Sequence, residues 1–235
     1  MSNGWDESAE AWIDSLGARG DWSREYILDP AMQSRLQGQR FKRALDVGCG
    51  EGRFCRFLAG KGIAAVGIDA SRTLITEANR RNPDGKYQLG KAEELPFENA
   101  SFDLVISYMS LCDIDGYRDA IAEMARVLEP GGTLLLANIS SINSAGTEWV
   151  RDEKGQLSHW PVDRYSEEFS LVSEWKGIRI TNWHRPLSAY MKAFLAAGLQ
   201  LTHFDEPLPI GGDAARQERY RRAPWFVIME WRTAI

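Results

Sequence analysis

The chain has 235 residues, 44% of them hydrophobic, and a formal net charge of −5. That length suits one α/β domain with an insertion, and the apolar residues suffice for a full core. The acidic balance argues against nucleic acid as a partner, because such proteins usually carry a basic stripe. No apolar run approaches the about 20 residues of a membrane span. The opening Met-Ser-Asn-Gly-Trp-Asp-Glu is polar and acidic, unlike a signal peptide, and lacks the Met-Gly start of myristoylation. Cys49, Cys55 and Cys112 are odd in number and have no C-x-x-C spacing, so neither a disulfide framework nor a metal site is expected. A reducing, cytoplasmic setting follows.

In chain order, Trp5, Ala9, Trp12, Ile13 and Leu16 recur at helical spacing, and Gly17 and Gly20 stop that helix. Asp21 or Ser23 caps a second helix through Tyr26 and Ile27, and Asp29-Pro30 starts a third. Residues 1–40 thus read as a helical lid, with Arg24 and Tyr26 as its polar and amphipathic positions. The same aromatic face also suits plain packing on a sheet. Ala44, Leu45 and Val47 then mark a buried strand, and Gly48, Gly50 and Gly52 alternate through the turn after it. A helix from Arg53 to Ala59 puts Phe54, Phe57 and Leu58 on one face. Strand, glycine-rich turn and helix open the nucleotide-binding α/β domains. The dinucleotide pattern G-x-G-x-x-G is broken by Arg53 at its third glycine.

Ala64–Asp69 is a second strand ending in an acid, 23 residues past Asp46. An acid there suits ribose, since a carboxylate accepts two hydrogen bonds from a vicinal diol. Ser71 caps the helix Arg72–Arg81, and Asn82-Pro-Asp-Gly85 turns the chain. Lys86–Leu89, Phe102–Met109 and Thr133–Ile139 follow as strands, with Asp119–Leu128 a helix and Glu129–Gly132 a turn. Strands alternate with helices across 41–139, so the sheet should be mostly parallel. Residues 140–185 break the rhythm with two antiparallel hairpins, turning at Glu153-Lys-Gly155 and Trp175-Lys-Gly177. Pro186–Ala197 is helical, and Leu199–Phe204 and Trp225–Arg232 are the last strands. Arg216, Arg219, Arg221 and Arg222 form the one basic cluster, read as a solvated face.

Asp46-Val-Gly-Cys-Gly-Glu-Gly52, then Asp69, then Ala92-Glu-Glu-Leu-Pro-Phe97 resembles the class I (Rossmann-like) S-adenosylmethionine (SAM)-dependent methyltransferases, close to their small-molecule group. The likeness is strong over 41–139 and looser through Trp183–Gly198 and Glu206-Pro207. It implies a doubly wound seven-stranded mostly parallel sheet in the order 3-2-1-4-5-7-6, with strand 7 antiparallel. N-terminal helices precede that sheet, and a small antiparallel β insertion interrupts it. The domains are then a lid at 1–40, a SAM-binding core at 41–139, a substrate-covering insertion at 140–185, and a helix and strands at 186–235 that complete the sheet.

Carried over by position, the resemblance gives Asp46 the support of the glycine turn and the SAM amino group. Gly48, Cys49 and Gly50 pack on the methionine moiety, and Arg53 beyond them meets a carboxylate. Asp69 holds the ribose, with Ala70 beside the adenine. Lys91 stands where the family's adenine-binding acid is expected; lysine accepts no hydrogen bond, so Ala92 and Glu93 must do more. Ser107, Tyr108 and Met109 border the sulfonium and the methyl group. Arg24 and Tyr26 join the cofactor set from the lid.

The reaction so implied is in-line methyl transfer to an O, N, S or C atom of a small metabolite, leaving S-adenosylhomocysteine. A base is needed only if the acceptor keeps its proton. His184, at the return of the insertion, is the first candidate, then His159, Asp113 and Tyr108. Trp160, Tyr165, Phe169, Trp175 and Trp183 either line an acceptor pocket or stabilise the hairpins by cross-strand pairing. No Asn-Pro-Pro-Tyr, Asp-Pro-Pro-Tyr or Pro-Cys follows strand four, which counts against the nucleic-acid and glutamine methylases. A monomer or homodimer free of nucleic acid and membrane is expected. The rival readings are a dinucleotide-dependent oxidoreductase and a SAM-binding protein without transfer activity.

Overall fold

The computed structural model describes residues 3–17 and 20–234. Helix α1 (Trp5–Ser15) comes first, then α2 (Asp29–Leu36). Asp29-Pro30 does not start a separate helix: a π turn at Arg24–Leu28 runs straight into α2, and Pro30 is tolerated because it sits in the first turn. β1 (Arg43–Val47), α3 (Arg53–Gly60), β2 (Ala64–Asp69), α4 (Arg72–Arg81), β3 (Lys86–Leu89) and β4 (Phe102–Tyr108) follow. Next come α5 (Tyr117–Arg126), β5 (Leu128–Ile139) and a short α6 (Ser141–Ser144). Two antiparallel hairpins, β6 (Val150–Arg151) with β7 (Leu157–His159) and β8 (Phe169–Trp175) with β9 (Ile178–His184), form the insertion. The chain closes with α7 (Leu187–Ala196), β10 (Gln200–Asp205), α8 (Ala214–Arg222) and β11 (Phe226–Arg232).

The main sheet has seven strands in the order β10-β11-β5-β4-β1-β2-β3. Read from the other edge this is 3-2-1-4-5-7-6, and β11 runs antiparallel to both its neighbours, as expected. Side chains alternate across the sheet. Leu45, Val47, Val105, Leu134 and Leu136 face Ile121 and Met124 of α5 and Phe194 of α7. Ala44, Leu104, Ile106, Leu135 and Ala137 face Met32 of α2 and Phe54 and Leu58 of α3. Burial on both faces explains why these strands are apolar throughout rather than alternating.

Glu129–Gly132 is not a turn between elements. It is a bulge within β5, where pairing to β4 slips from Leu128 to Thr133 and Gly131 takes φ 74°. Ser71 caps α4 by accepting from Leu74 N. No described helix is long and apolar enough to cross a membrane.

Candidate active site

The glycine turn leaves β1 at the carboxyl edge of the sheet. Gly48, Gly50 and Gly52 all have positive φ, at 75°, 55° and 76°. They are glycine for different reasons. A Cβ on Gly48 would lie 2.3 Å from Ser110 Cβ, and one on Gly52 would lie 2.5 Å from the Tyr87 ring. A Cβ on Gly50 would meet nothing within 4 Å. Only Gly50 therefore opens its backbone outward. The turn is tied to β2: Gly48 N and Cys49 N both donate to Ile68 O, and Gly50 N donates to Asp69 Oδ2 at 2.8 Å. Asp69 Oδ1 accepts from Ser71 N. Burial raises the Asp69 pKa, against these backbone donors.

Asp46 is buried beneath the turn. Its Oδ2 accepts from the Cys55 thiol at 3.4 Å, and its Oδ1 has no partner among the described residues. Burial pushes this carboxyl up to about 7. Cys49 packs with Cys55 against Gly67; burial helps hold both thiols above the usual range, so neither suits nucleophilic work. Arg53 turns away from the loop and clasps Asp29 of α2 at 2.7 and 2.8 Å. The same carboxylate accepts the Tyr108 hydroxyl at 2.6 Å. Tyr108 is thus a committed donor, and burial raises its pKa far from neutrality. Arg24 lies over the Tyr108 ring and over Trp12 and pairs with Asp21. Tyr26 packs instead against Trp22 and the Gly211-Gly212 loop.

At the end of β4, Ser107 and Ser110 share a hydrogen bond, and Ser110 Oγ donates to Val47 O. Met109 has φ 58°, a left-handed conformation that costs a non-glycine residue about 1 kcal/mol or more. Met109 N donates to Ala137 O. Ala92 is buried, Ala70 is exposed, and Glu93 packs its side chain against Gly116.

Asp113 lies just beyond, fully enclosed. Trp5 Nε1 donates to its Oδ2 at 2.9 Å, Asn182 Nδ2 donates to its Oδ1, and the Cys112 thiol lies 3.4 Å from Oδ1. Burial raises the carboxyl to about 7 in spite of these donors. The loop bearing Asp113 is gripped by Arg185, whose guanidinium donates to the carbonyls of Leu111, Ile114 and Asp115 and lies 4.1 Å from the Tyr117 ring. Arg185 is 1% exposed, and among the described residues it has no carboxylate within ion-pair distance.

His184 is the first candidate base from the sequence. It is fully buried with both nitrogens engaged: Nε2 faces Tyr165 O at 3.0 Å and so carries the proton, and Nδ1 accepts from Ser144 Oγ at 2.7 Å. Burial lowers its pKa. His159 lies exposed on β7, bonded to Ser158. The insertion aromatics do not share one pocket: Tyr165 and Phe169 pack on His184, Trp183 lies under Arg185, and Trp175 is at a hairpin end.

Helix α1 covers this edge. Asp6 accepts from Ser71 Oγ and Thr73 N at the start of α4, while Trp5 reaches Asp113. Ser8 bonds both ways with the Arg179 backbone on β9. Trp5, Asp6, Asn182 and Arg185 were not singled out from the sequence. Arg185 stands beside His184 in Trp-His-Arg-Pro, but nothing in that motif says the arginine is buried.

Residues 45–136 match the family described as Methyltransferase domain. Over 184 residues the chain is 34% identical to the malonyl-[acyl-carrier protein] O-methyltransferase of Enterobacter lignolyticus, covering 75% of this chain and 71% of that protein. A crystal structure of an S-adenosylmethionine dependent methyltransferase from Mesorhizobium loti matches with TM-score 0.78 and 25% identity, over 92% of this chain and all of that one. A structure from Listeria monocytogenes, provisionally assigned to the same class, matches with TM-score 0.79 and 27% identity over 88% and 96%. The glycine turn tied to Asp69, the 3-2-1-4-5-7-6 sheet and these likenesses agree: the chain belongs to the class I S-adenosylmethionine-dependent methyltransferases.

Proposed function

We propose that the chain methylates a nucleophilic O, N, S or C atom of a small metabolite, with Asp113 taking the acceptor's proton where it has one. The reading rests on a single observation: at the end of β4 an enclosed carboxylate has its proton affinity raised to about 7. A general base works best with a pKa near the working pH.

The residues fit the cofactor. Asp46 Oδ1 is a buried acceptor without a donor, suited to the ammonium of the methionine part. Gly50 allows close approach to its backbone. Asp69 spends one lone pair per oxygen on a backbone N–H and keeps the others for the ribose diol. Ala92 and Glu93 serve the adenine in place of the acid that Lys91 replaces. Gly48 and Cys49 complete the turn, and Ser107 and Met109 border the transferred group. When bound, the cofactor would supply a sulfonium-borne methyl group for in-line transfer to the acceptor, with S-adenosylhomocysteine as the leaving product.

The protein's own part is positioning and exclusion of water, which can supply roughly 7–11 kcal/mol of the barrier. Arg185 and Asn182 hold Asp113 in place, and α1 closes the edge. The partner is a small molecule, with no role for nucleic acid or membrane, and the working form is a monomer or homodimer. Titration calorimetry with SAM and with a dinucleotide, followed by a metabolite screen for methyl transfer, tests the reading. Binding of SAM alone, with transfer to at least one acceptor, is expected. Dinucleotide binding would overturn it, and SAM binding without transfer would leave only a cofactor-binding protein.

A further inference from the structure

Away from the cofactor seat, six aromatic rings form a continuous ladder. Tyr26 meets Trp22 at 5.4 Å, Trp22 meets Tyr220 at 5.1 Å, and Tyr220 meets Trp225 at 4.6 Å. Trp225 meets Trp160 at 5.7 Å, and Trp160 meets Trp149 at 5.5 Å. The rungs come from the N-terminal helices, α8, the start of β11 and the insertion. The ladder lies on the carboxyl side of the sheet: Ser140 N, just past β5, donates to Trp225 O. Its near end adjoins the catalytic edge, because Ser23 bonds the Tyr220 hydroxyl at 2.8 Å and the next residue, Arg24, lies over Tyr108.

Among the described residues, indole N–H groups on this ladder lack acceptors and its guanidinium groups lack carboxylates. The indole N–H groups of Trp22, Trp149 and Trp225 are buried with no acceptor. A buried N–H left without an acceptor is costly, so such groups call for an acceptor oxygen. Arg216, Arg219 and Arg222 of α8 lie over Trp22, Trp225 and Trp149 at 5.6, 5.8 and 4.9 Å. Among the described residues none of the three arginines has a carboxylate within ion-pair distance. Asp213 is engaged as the α8 cap, and Asp21 pairs with Arg24. Arg222 also donates to the Leu157 and Ser158 carbonyls, which ties α8 to the β6–β7 hairpin. Helix α8 itself buries none of its residues, and Gly212 before it has φ 84°.

We propose that this ladder, together with the arginines of α8, binds the methyl acceptor, and that the acceptor is a planar aromatic acid. Ring faces recognise a flat π system, orphaned N–H groups need an acceptor oxygen, and unpaired guanidinium groups need a negative charge. A neutral aromatic would leave the arginines unpaired, and an aliphatic anion would leave the ring faces unused. The inference rests on the methyltransferase reading and extends it to a substrate class.

The test uses the full chain loaded with S-adenosylhomocysteine. A panel of benzoates and naphthoates is titrated beside the matching neutral amides, read by tryptophan fluorescence. At least one carboxylate should bind about tenfold or more tighter than its amide, the scale of one charge-assisted hydrogen bond. Arg216→Gln with Arg219→Gln should abolish that preference, while SAM affinity by calorimetry stays at the wild-type value. Trp225→Phe keeps a ring but removes an N–H, and should weaken the carboxylates alone. Equal binding of acids and amides, binding by no member of the panel, or wild-type preference in the arginine variant overturns the proposal. Failure of the wild-type chain to bind SAM would instead remove the reading beneath it.

Discussion

At the ends of β1 and β2 the site is made of backbone; at the end of β4 it is made of side chains brought from far away. The glycine turn, Ile68 O, Asp69 and Ser71 lie within one short βαβ stretch, and their bonds run mostly to main-chain groups. Asp113, by contrast, is completed by Trp5 from 108 positions earlier and Asn182 from 69 positions later. A backbone cradle presents the same groups whatever the neighbouring side chains, so it suits a cofactor that does not change. A pocket assembled from distant elements can alter with each of them, so it suits an acceptor that does.

Point substitutions and pH-dependent melts press on that contrast. The largest effect is expected from Gly48→Val: its Cβ would enter Ser110 and its φ would be strained, so SAM binding should vanish in calorimetry. Gly50→Ala, which meets no atom of the protein, should fold and only weaken binding. If the two behave alike, the distinction drawn between the glycines is wrong.

On the acceptor side, Asp113→Asn should lower kcat by about 10²–10⁴-fold with SAM affinity unchanged. The wild-type rate should rise with pH through about 7, and the variant should lose that limb. A variant with wild-type kcat would mean that the acceptor arrives deprotonated. Asp69→Ala should cost about 1.5–3 kcal/mol of SAM affinity and leave the acid limb in place. His184→Asn comes next. It cannot bridge Ser144 and Tyr165 together, so a stability loss of about 1–3 kcal/mol is expected in thermal melts, with kcat nearly kept. A collapse of kcat in a folded protein would restore His184 as the base.

The mildest test is the pH dependence of ligand-free stability. Asp46 and Asp113 hold their protons to about pH 7 when folded, and release them near 3.8 when unfolded. Between those values the folded state binds more protons, so their contribution is full below about 3.8 and falls as pH rises to 7. Melts of Asp113→Asn should show a shallower fall than wild type.

The same contrast decides what was legible beforehand. The strands at 64–69 and 86–89 and the helix at 72–81 announced themselves, because apolar periodicity, a serine cap and a Pro-Asp-Gly turn are local signals. Asp69 was readable as a candidate because strand-end acids fall at a regular offset from the glycine turn. The bulge at 129–132 was misread because Pro-Gly-Gly marks a reversal in any context, and only pairing with β4 keeps it inside a strand. His184 attracted notice through its titration range, yet burial between Ser144 and Tyr165 decides its behaviour. Arg185, Asn182 and Trp5 left no local trace, since each acquires its role only where α1, β9 and the loop after β4 meet.

Helix α1 spans 11 residues and is latched at both sides of the site, by Asp6 on α4 and by Trp5 on Asp113. Its presence over Asp113 contributes to the burial that raises that carboxyl. With α1 lifted, water would solvate the group and it would return toward an ordinary, weakly basic carboxylate. Proton affinity at the reacting edge is then set by the conformation of the cover rather than by the residue alone.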